Sequence, residues 1–139
     1  PLALMRPRGV FDFVAIARLP LVSPSSRSCF TLLQMHQILE DHYPPGGTII
    51  RAMAARLEAG GIIKPHQDGH PSFHYGHRIH IPIYTNPLVR FMIDGRPQRM
   101  KVGNVYEINN QKRHSVMNKG SEGRINFIFD YIPPSKISR

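Results

Sequence analysis

Between residues 48 and 132 the chain is a succession of short β-prone runs separated by glycine-bearing turns, at Gly60-Gly61, Asp94-Gly95, Gly103-Asn104 and Asn118-Lys119-Gly120. Runs of this length with a two-residue period cannot form amphipathic helices, which need apolar residues at three- and four-residue spacing. Ile79, Ile81 and Ile83 show the period most clearly. Asp-Gly between two such runs is a strong two-residue hairpin signal. The expected strands cover 48–58, 62–66, 79–84, 88–93, 98–102, 105–108, 114–117 and 124–132. Residues 68–76 read as irregular. Many short strands joined by tight turns point to a mainly β double-sheet barrel, a jelly roll of the cupin-like kind.

The N-terminal part reads differently. A strand is expected at 10–16 and a Pro- and Ser-rich loop at 20–28. Phe30, Leu33 and Ile38 recur at helical spacing, so a helix is expected over 30–43, stopped by Pro44-Pro45-Gly46-Gly47. This helix would pack on one sheet. With 139 residues, one domain is expected over 1–139, with its core motifs in 48–132 and a helix and strand region in 1–47. No apolar run approaches the ~20 residues needed to cross a bilayer, so no membrane is expected as a partner.

Eighteen basic against nine acidic side chains give a formal charge of +9. The basic residues are scattered and match no nucleic-acid-binding motif, so the expected attraction is to small carboxylates, not nucleic acid. Cys29 is the one cysteine, which excludes an intrachain disulfide and fits a reducing, cytoplasmic location. Its place before an apolar helical stretch suggests a buried structural thiol.

The residues that carry chemistry lie within the strand-rich region. His66-Gln67-Asp68 sets an imidazole and a carboxylate two positions apart, and alternate positions of an extended chain share a side. His114 lies 46 residues beyond Asp68. The intervening strands of a barrel can return it beside the starting strand. Two histidines and one carboxylate on one face of an octahedral ion leave three positions open, which suits iron(II) that binds a cosubstrate and then dioxygen. Zinc catalysis can use the same ligand types, but the HExxH pattern of zinc peptidases is absent. His70, His74 and His77 read as loop residues near the mouth of such a site.

Arg124 opens an otherwise apolar strand that contains Ile125, Phe127, Ile128 and Phe129. Pointing inward, it would need an anion, and its planar fork matches a carboxylate. Arg78 and His80 share the strand face opposite Ile79, Ile81 and Ile83. Alternation leaves open whether that face is interior or solvated. Asn109 and Asn110 precede His114 as a turn that would orient the ligand strand, while Tyr75 and Tyr84 are candidates for substrate contact or for packing.

The ordered set is more specific than any one of its parts. Gly60-Gly61-Ile62-Ile63-Lys64-Pro65-His66-Gln67-Asp68 is followed by Arg78-Ile79-His80-Ile81-Pro82-Ile83, then Thr85-Asn86-Pro87, Gly103-Asn104-Val105-Tyr106-Glu107-Ile108-Asn109-Asn110, His114-Ser115-Val116 and Arg124-Ile125-Asn126-Phe127-Ile128-Phe129-Asp130. This resembles the aspartyl/asparaginyl β-hydroxylase family, which includes free-proline hydroxylases. The resemblance covers residues 48–132 and implies a double-stranded β-helix that binds iron(II) and 2-oxoglutarate. It implies His66, Asp68 and His114 as metal ligands. Arg124 would take the distal carboxylate of 2-oxoglutarate, with Arg78 and His80 near its metal-side carboxylate. Some relatives lack the carboxylate ligand, and Asp68 places this chain with those that keep the full triad. A serine that some relatives use on the cosubstrate has no equivalent, and Ala55 stands in its place.

The implied activity is hydroxylation of an unactivated carbon of an amino acid, of Asp/Asn or proline type, free or in a peptide, with O2 as co-reactant. Two other readings keep the metal ligands. One is a cupin-like metal-binding protein or sensor without oxygenase chemistry. The other is a zinc hydrolase on a barrel. Neither would require Arg124.

Overall fold

The computed structural model describes residues 13–18 and 27–134. In chain order these form β1 (Phe13–Arg18), α1 (Arg27–His42), β2 (Thr48–Leu57), β3 (Ile62–His66), β4 (His77–Tyr84), β5 (Val89–Ile93), β6 (Arg96–Gln98), β7 (Asn104–Ile108), β8 (His114–Asn118) and β9 (Arg124–Ile132). A 3-10 turn at Pro71–His74 lies between β3 and β4. The strands make two sheets, one of five strands in the order β1-β7-β4-β9-β2 and one of four in the order β3-β8-β5-β6. All strand pairs are antiparallel. The mainly β, two-sheet architecture is the one expected from the spacing of runs and turns.

Alternation along the central strands creates two distinct cores. Ile79, Ile81, Val105, Phe129 and Tyr131 project from one face of the larger sheet and pack with Met35 and Ile38 of α1. Tyr106 and Ile108, one position out of phase, project from the other face and pack with Phe91, Ile93 and Val116 of the smaller sheet. The larger sheet is therefore buried on both sides. A polar residue of the second parity on β4 or β9 is thereby forced into the space between the sheets, where the site lies.

Local chemistry fixes the connections. Asp94 and Gly95 have φ of 49° and 76°, and Ile93 pairs with Arg96, so the Asp-Gly hairpin forms as its sequence predicts. Asn118, fully buried, closes the opposite end of the sandwich. Its amide nitrogen donates to the carbonyls of Leu57, Glu58 and Glu122, and its oxygen accepts from Gly120 N and Asn86 Nδ2. One side chain thus ties three turns together.

Some boundaries differ from expectation. The strand expected at 98–102 ends at Gln98. Beyond it Lys101 N donates to Tyr106 Oη at 2.9 Å, and Asn104 N returns to Lys101 O at 3.3 Å, so the backbone turns instead of pairing. The helix starts three residues early, at Arg27. For the strand expected at 10–16, residues 10–12 lie outside the described residues, and β1 runs on to Arg18. Most of the 20–28 loop and the Cys29 side chain also lie outside them. Among the described residues, no helix is long and apolar enough to cross a membrane.

Candidate metal and anion site

His66 and His114 face each other across the β3–β8 ladder as directly opposed residues. Antiparallel pairing thus removes their long separation in sequence. Their rings lie with centroids 4.4 Å apart. Each is oriented by the same local device: His66 Nδ1 lies 2.8 Å from the carbonyl of Lys64, and His114 Nδ1 lies 2.9 Å from that of Lys112. A carbonyl only accepts, so each Nδ1 carries the proton and each Nε2 presents a lone pair. The two Nε2 atoms lie 3.7 Å and 3.9 Å from the same oxygen, Asp68 Oδ1.

The donor atoms of His66, Asp68 and His114 all fall within 4.8 Å of one another. For ligand bonds of about 2.1 Å, neighbouring octahedral donors stand about 3 Å apart. Side-chain rotations of less than an ångström would close the set on an ion. Burial holds His114 below the ordinary imidazole value, against the opposing pull of the Lys112 carbonyl and Asp68. It is therefore neutral and able to ligate at neutral pH. His66 is the exposed member and His114 the buried one, so the site opens on the His66 side.

Asp68 is held from the opposite sheet. Its Oδ2 accepts from Arg78 Nη1 at 2.6 Å, which leaves Oδ1 to the histidines. Arg78 is itself fixed by a bidentate pair with Asp130, through Nε at 2.8 Å and Nη2 at 2.9 Å. Arg78 and Asp130 are directly opposed on β4 and β9. The guanidinium also lies 4.5 Å from the centre of the Phe73 ring, which Arg51 approaches at 4.3 Å. Burial opposes the charge of Arg78, but the bonds to Asp130 and the charge of Asp68 outweigh it, and its pKa is raised. The Asn109-Asn110 turn contributes from the backbone, since Asp68 N donates to Asn110 O at 3.3 Å.

His80 is the next inward residue on β4, about 7 Å along the strand from Arg78. It is fully buried, and burial with the nearby charges of Arg124 and Arg78 lowers its pKa well below the ordinary value. The imidazole is neutral. Arg124 is buried to the same degree, 4% exposed. Among the described residues no carboxylate pairs with it, and burial alone lowers its pKa to about 10. Asn126, two residues on, bridges Arg124 and His80. The ambiguous face of β4 is thus interior.

The expected site residues therefore converge as two groups. His66, Asp68, His114 and Arg78 meet at one end of the sandwich, while His80 leads inward to Arg124. The histidine-rich segment divides. His70 and His74 are exposed. His77 is not a loop residue: it begins β4 on the apolar face, where its Nδ1 lies 2.5 Å from Glu107 Oε1 and Tyr43 Oη donates to Glu107 Oε2 at 2.6 Å. It shares parity with Ile79 and Ile81, and that parity carries it under α1. Tyr84 bonds Glu122 near the other end of the molecule, and Tyr75 is exposed. Asp130, Phe73, Arg51 and Asn126 are additional to the expected set. Of these, Asp130 and Asn126 share the inward parity of Arg124 and are in principle readable from alternation.

A family model, aspartyl/asparaginyl beta-hydroxylase, matches residues 24–134. The chain belongs to that family. Solved structures share the fold. An oxidoreductase of the 2OG-Fe(II) oxygenase family from Burkholderia pseudomallei is 19% identical, with a TM-score of 0.59 over 86% of this chain and 64% of its own. A non-heme monooxygenase, ThoJ, in complex with nickel, is 18% identical, with a TM-score of 0.52 over 62% of this chain and 44% of its own. The chain thus spans less than two thirds of either structure. No curated protein sequence matches it.

Proposed function

We propose that this chain is an iron(II)- and 2-oxoglutarate-dependent dioxygenase that hydroxylates an unactivated carbon of an amino acid, of Asp/Asn or proline type, free or within a peptide. The observation that carries the reading is Arg124, a buried guanidinium with no carboxylate partner among the described residues, beyond His80 from a two-histidine, one-carboxylate cluster. A charge buried that way needs an anion from outside the chain. A dicarboxylate with one end at the metal ligands would offer that anion at its other end.

The donor set suits iron(II): two neutral nitrogen lone pairs and one carboxylate oxygen leave half of an octahedron open. When bound, iron supplies the activation of dioxygen that organic side chains cannot. The residues of the chain do the rest. His66 and His114 are held as Nδ1–H tautomers by backbone carbonyls, so their lone pairs are in place before the ion arrives. Arg78 takes one oxygen of Asp68 and so favours single-oxygen ligation. Two of its five N–H bonds remain for the metal-side carboxylate of the cosubstrate. His80 lines the path between the two ends. Phe91, Ile93 and Val116 form an apolar wall that excludes water.

Substrate would enter where His66 is exposed. The charge of +9 and the Arg51 guanidinium on Phe73 favour an anionic one. A reducing, cytoplasmic setting would keep the iron ferrous. The alternative, a cupin-like metal-binding protein or sensor, retains the triad but gives Arg124 no task. The discriminating experiment incubates the protein with iron(II), ascorbate and 2-oxoglutarate, then screens amino acids and short peptides for one added oxygen by mass. Succinate formed in step with a hydroxylated product supports the proposal. Tight metal binding without 2-oxoglutarate turnover across the panel favours the sensor.

A further inference from the structure

Asn126 is a polar residue in a place that local rules assign to an apolar one. It is completely buried, the third residue of β9. Its cross-strand neighbours are Ala55 on β2 and Pro82 on β4, which offer its side chain no hydrogen bond. Asparagine is disfavoured in strands, and a buried carboxamide is costly unless its atoms are bonded. Its partners lie along the inward face. One amide atom stands 2.7 Å from Arg124 Nη2 and 3.2 Å from His80 Nδ1.

A guanidinium nitrogen only donates, so the amide atom 2.7 Å from it is the oxygen. The amide nitrogen then donates to Ile125 O at 3.2 Å. This orientation satisfies the short contacts at the expense of two longer approaches, 3.3 Å to Arg124 Nε and 3.4 Å to Met100 Sδ. It also fixes the proton on His80. Nδ1 carries the hydrogen and donates to Asn126, while Nε2 is a buried lone pair with no partner among the described residues.

The residue type is informative. A leucine at 126 would leave Nδ1–H and the guanidinium without an acceptor. An aspartate would accept both bonds but would neutralise Arg124 with a charge of the chain's own. The carboxamide supplies the acceptor and no charge.

We propose that Asn126 is a positioning residue that selects the Nδ1–H tautomer of His80 and aims Arg124, leaving its positive charge free to receive a carboxylate. It rests on Arg124 being the anion receptor of the function proposed above. It adds that neutral His80 turns its Nδ1–H to Asn126.

The test compares wild type with Asn126→Asp, which is nearly isosteric, and Asn126→Leu. Imidazole 15N shifts on the metal-free protein report the tautomer, with the His80 signals identified by their loss in His80→Gln. Calorimetry on the manganese(II)-loaded protein reports 2-oxoglutarate affinity. The proposal predicts the Nδ1–H form in wild type and in Asn126→Asp. In Asn126→Leu the Nε2–H form, preferred by free imidazole, should appear. Affinity should fall by roughly 100-fold in Asn126→Asp, the scale of one charge-assisted pair, and less in Asn126→Leu.

An Asn126→Leu protein that keeps both the Nδ1–H tautomer and wild-type affinity overturns the role. So does an Asn126→Asp protein that binds 2-oxoglutarate as wild type does, and this arm stands alone if the leucine variant fails to fold. Wild type that shows the tautomer, loses it in Asn126→Leu and binds no 2-oxoglutarate would overturn the function proposed above while supporting Asn126 as the selector of the tautomer.

Discussion

Arg124→Met should stabilise the ligand-free protein while making it insensitive to 2-oxoglutarate. Burial lowers the pKa of Arg124 from 12.5 to about 10, so its charged form is disfavoured in the fold by about 3 kcal/mol, at 1.36 kcal/mol per pK unit. The bond to Asn126 returns part of that, at about 1.5 kcal/mol for a charge-assisted hydrogen bond. Methionine fills similar length without a charge. The expected net gain is about 1–2 kcal/mol, within the range for apolar replacement of buried charged groups. Urea denaturation of the manganese(II)-loaded protein, with and without 2-oxoglutarate, measures both halves. At one hundred times its dissociation constant, the cosubstrate should add about 2.7 kcal/mol to wild type and nothing to the variant. Two results would refute the reasoning: a ligand-free variant weaker than wild type by 2 kcal/mol or more (an order-of-magnitude threshold set by the cost of lost packing), or equal stabilisation of both proteins by 2-oxoglutarate.

Other perturbations separate the parts of the site. Asp68→Ala should abolish tight metal binding yet cost only about 1 kcal/mol of stability, because Arg78 keeps its bidentate pair with Asp130. Equilibrium dialysis and denaturation check the two effects. Asp130→Asn removes the main partner of a largely buried arginine and should destabilise by about 3 kcal/mol, with weaker metal binding as Asp68 loses its brace; a neutral effect in both assays would contradict the clamp. The lowered pKa of His80 gives a pH test. Below about pH 6.5 the unfolded chain takes up a proton that the folded His80 refuses, so stability is present above that pH and lost as pH falls. The stability of wild type relative to His80→Gln should then decline by up to about 1.4 kcal/mol per pH unit. A constant difference between the two proteins from pH 7 to 5 would argue against a neutral, buried imidazole.

Much of this architecture is legible in the chain because two-residue alternation fixes facing. The Asp94-Gly95 turn, the isoleucine face of β4 and the return of the His114 strand beside the His66 strand follow from turn chemistry, period and closure of the sheets. What alternation does not convey is register between strands distant in sequence. Arg78 and His80 could be assigned a common face but not a partner. Asp130 meets Arg78 only because β9 inserts beside β4. Nor does it report whether a sheet is covered on one side or two. Here α1 buries the second face, which turns the polar positions of β4 and β9 into interior ones. His77 shows the reverse error. Its neighbourhood in sequence is histidine-rich and loop-like, but its parity with Ile79 and Ile81 puts it in the apolar core with Glu107 and Tyr43. Loop contacts such as Phe73 beneath Arg51 and Arg78 have no periodic signal at all.

The central claim is that the three ligands and Arg124 form one receptor for a metal and a dicarboxylate. Anaerobic titration of iron(II) and 2-oxoglutarate, followed by visible absorption, tests it most directly. A weak charge-transfer band that requires both additions, saturates at one equivalent of metal and is absent in His114→Ala is the predicted result. Tightly bound iron with no band at any 2-oxoglutarate concentration, in a protein that remains folded, would contradict it.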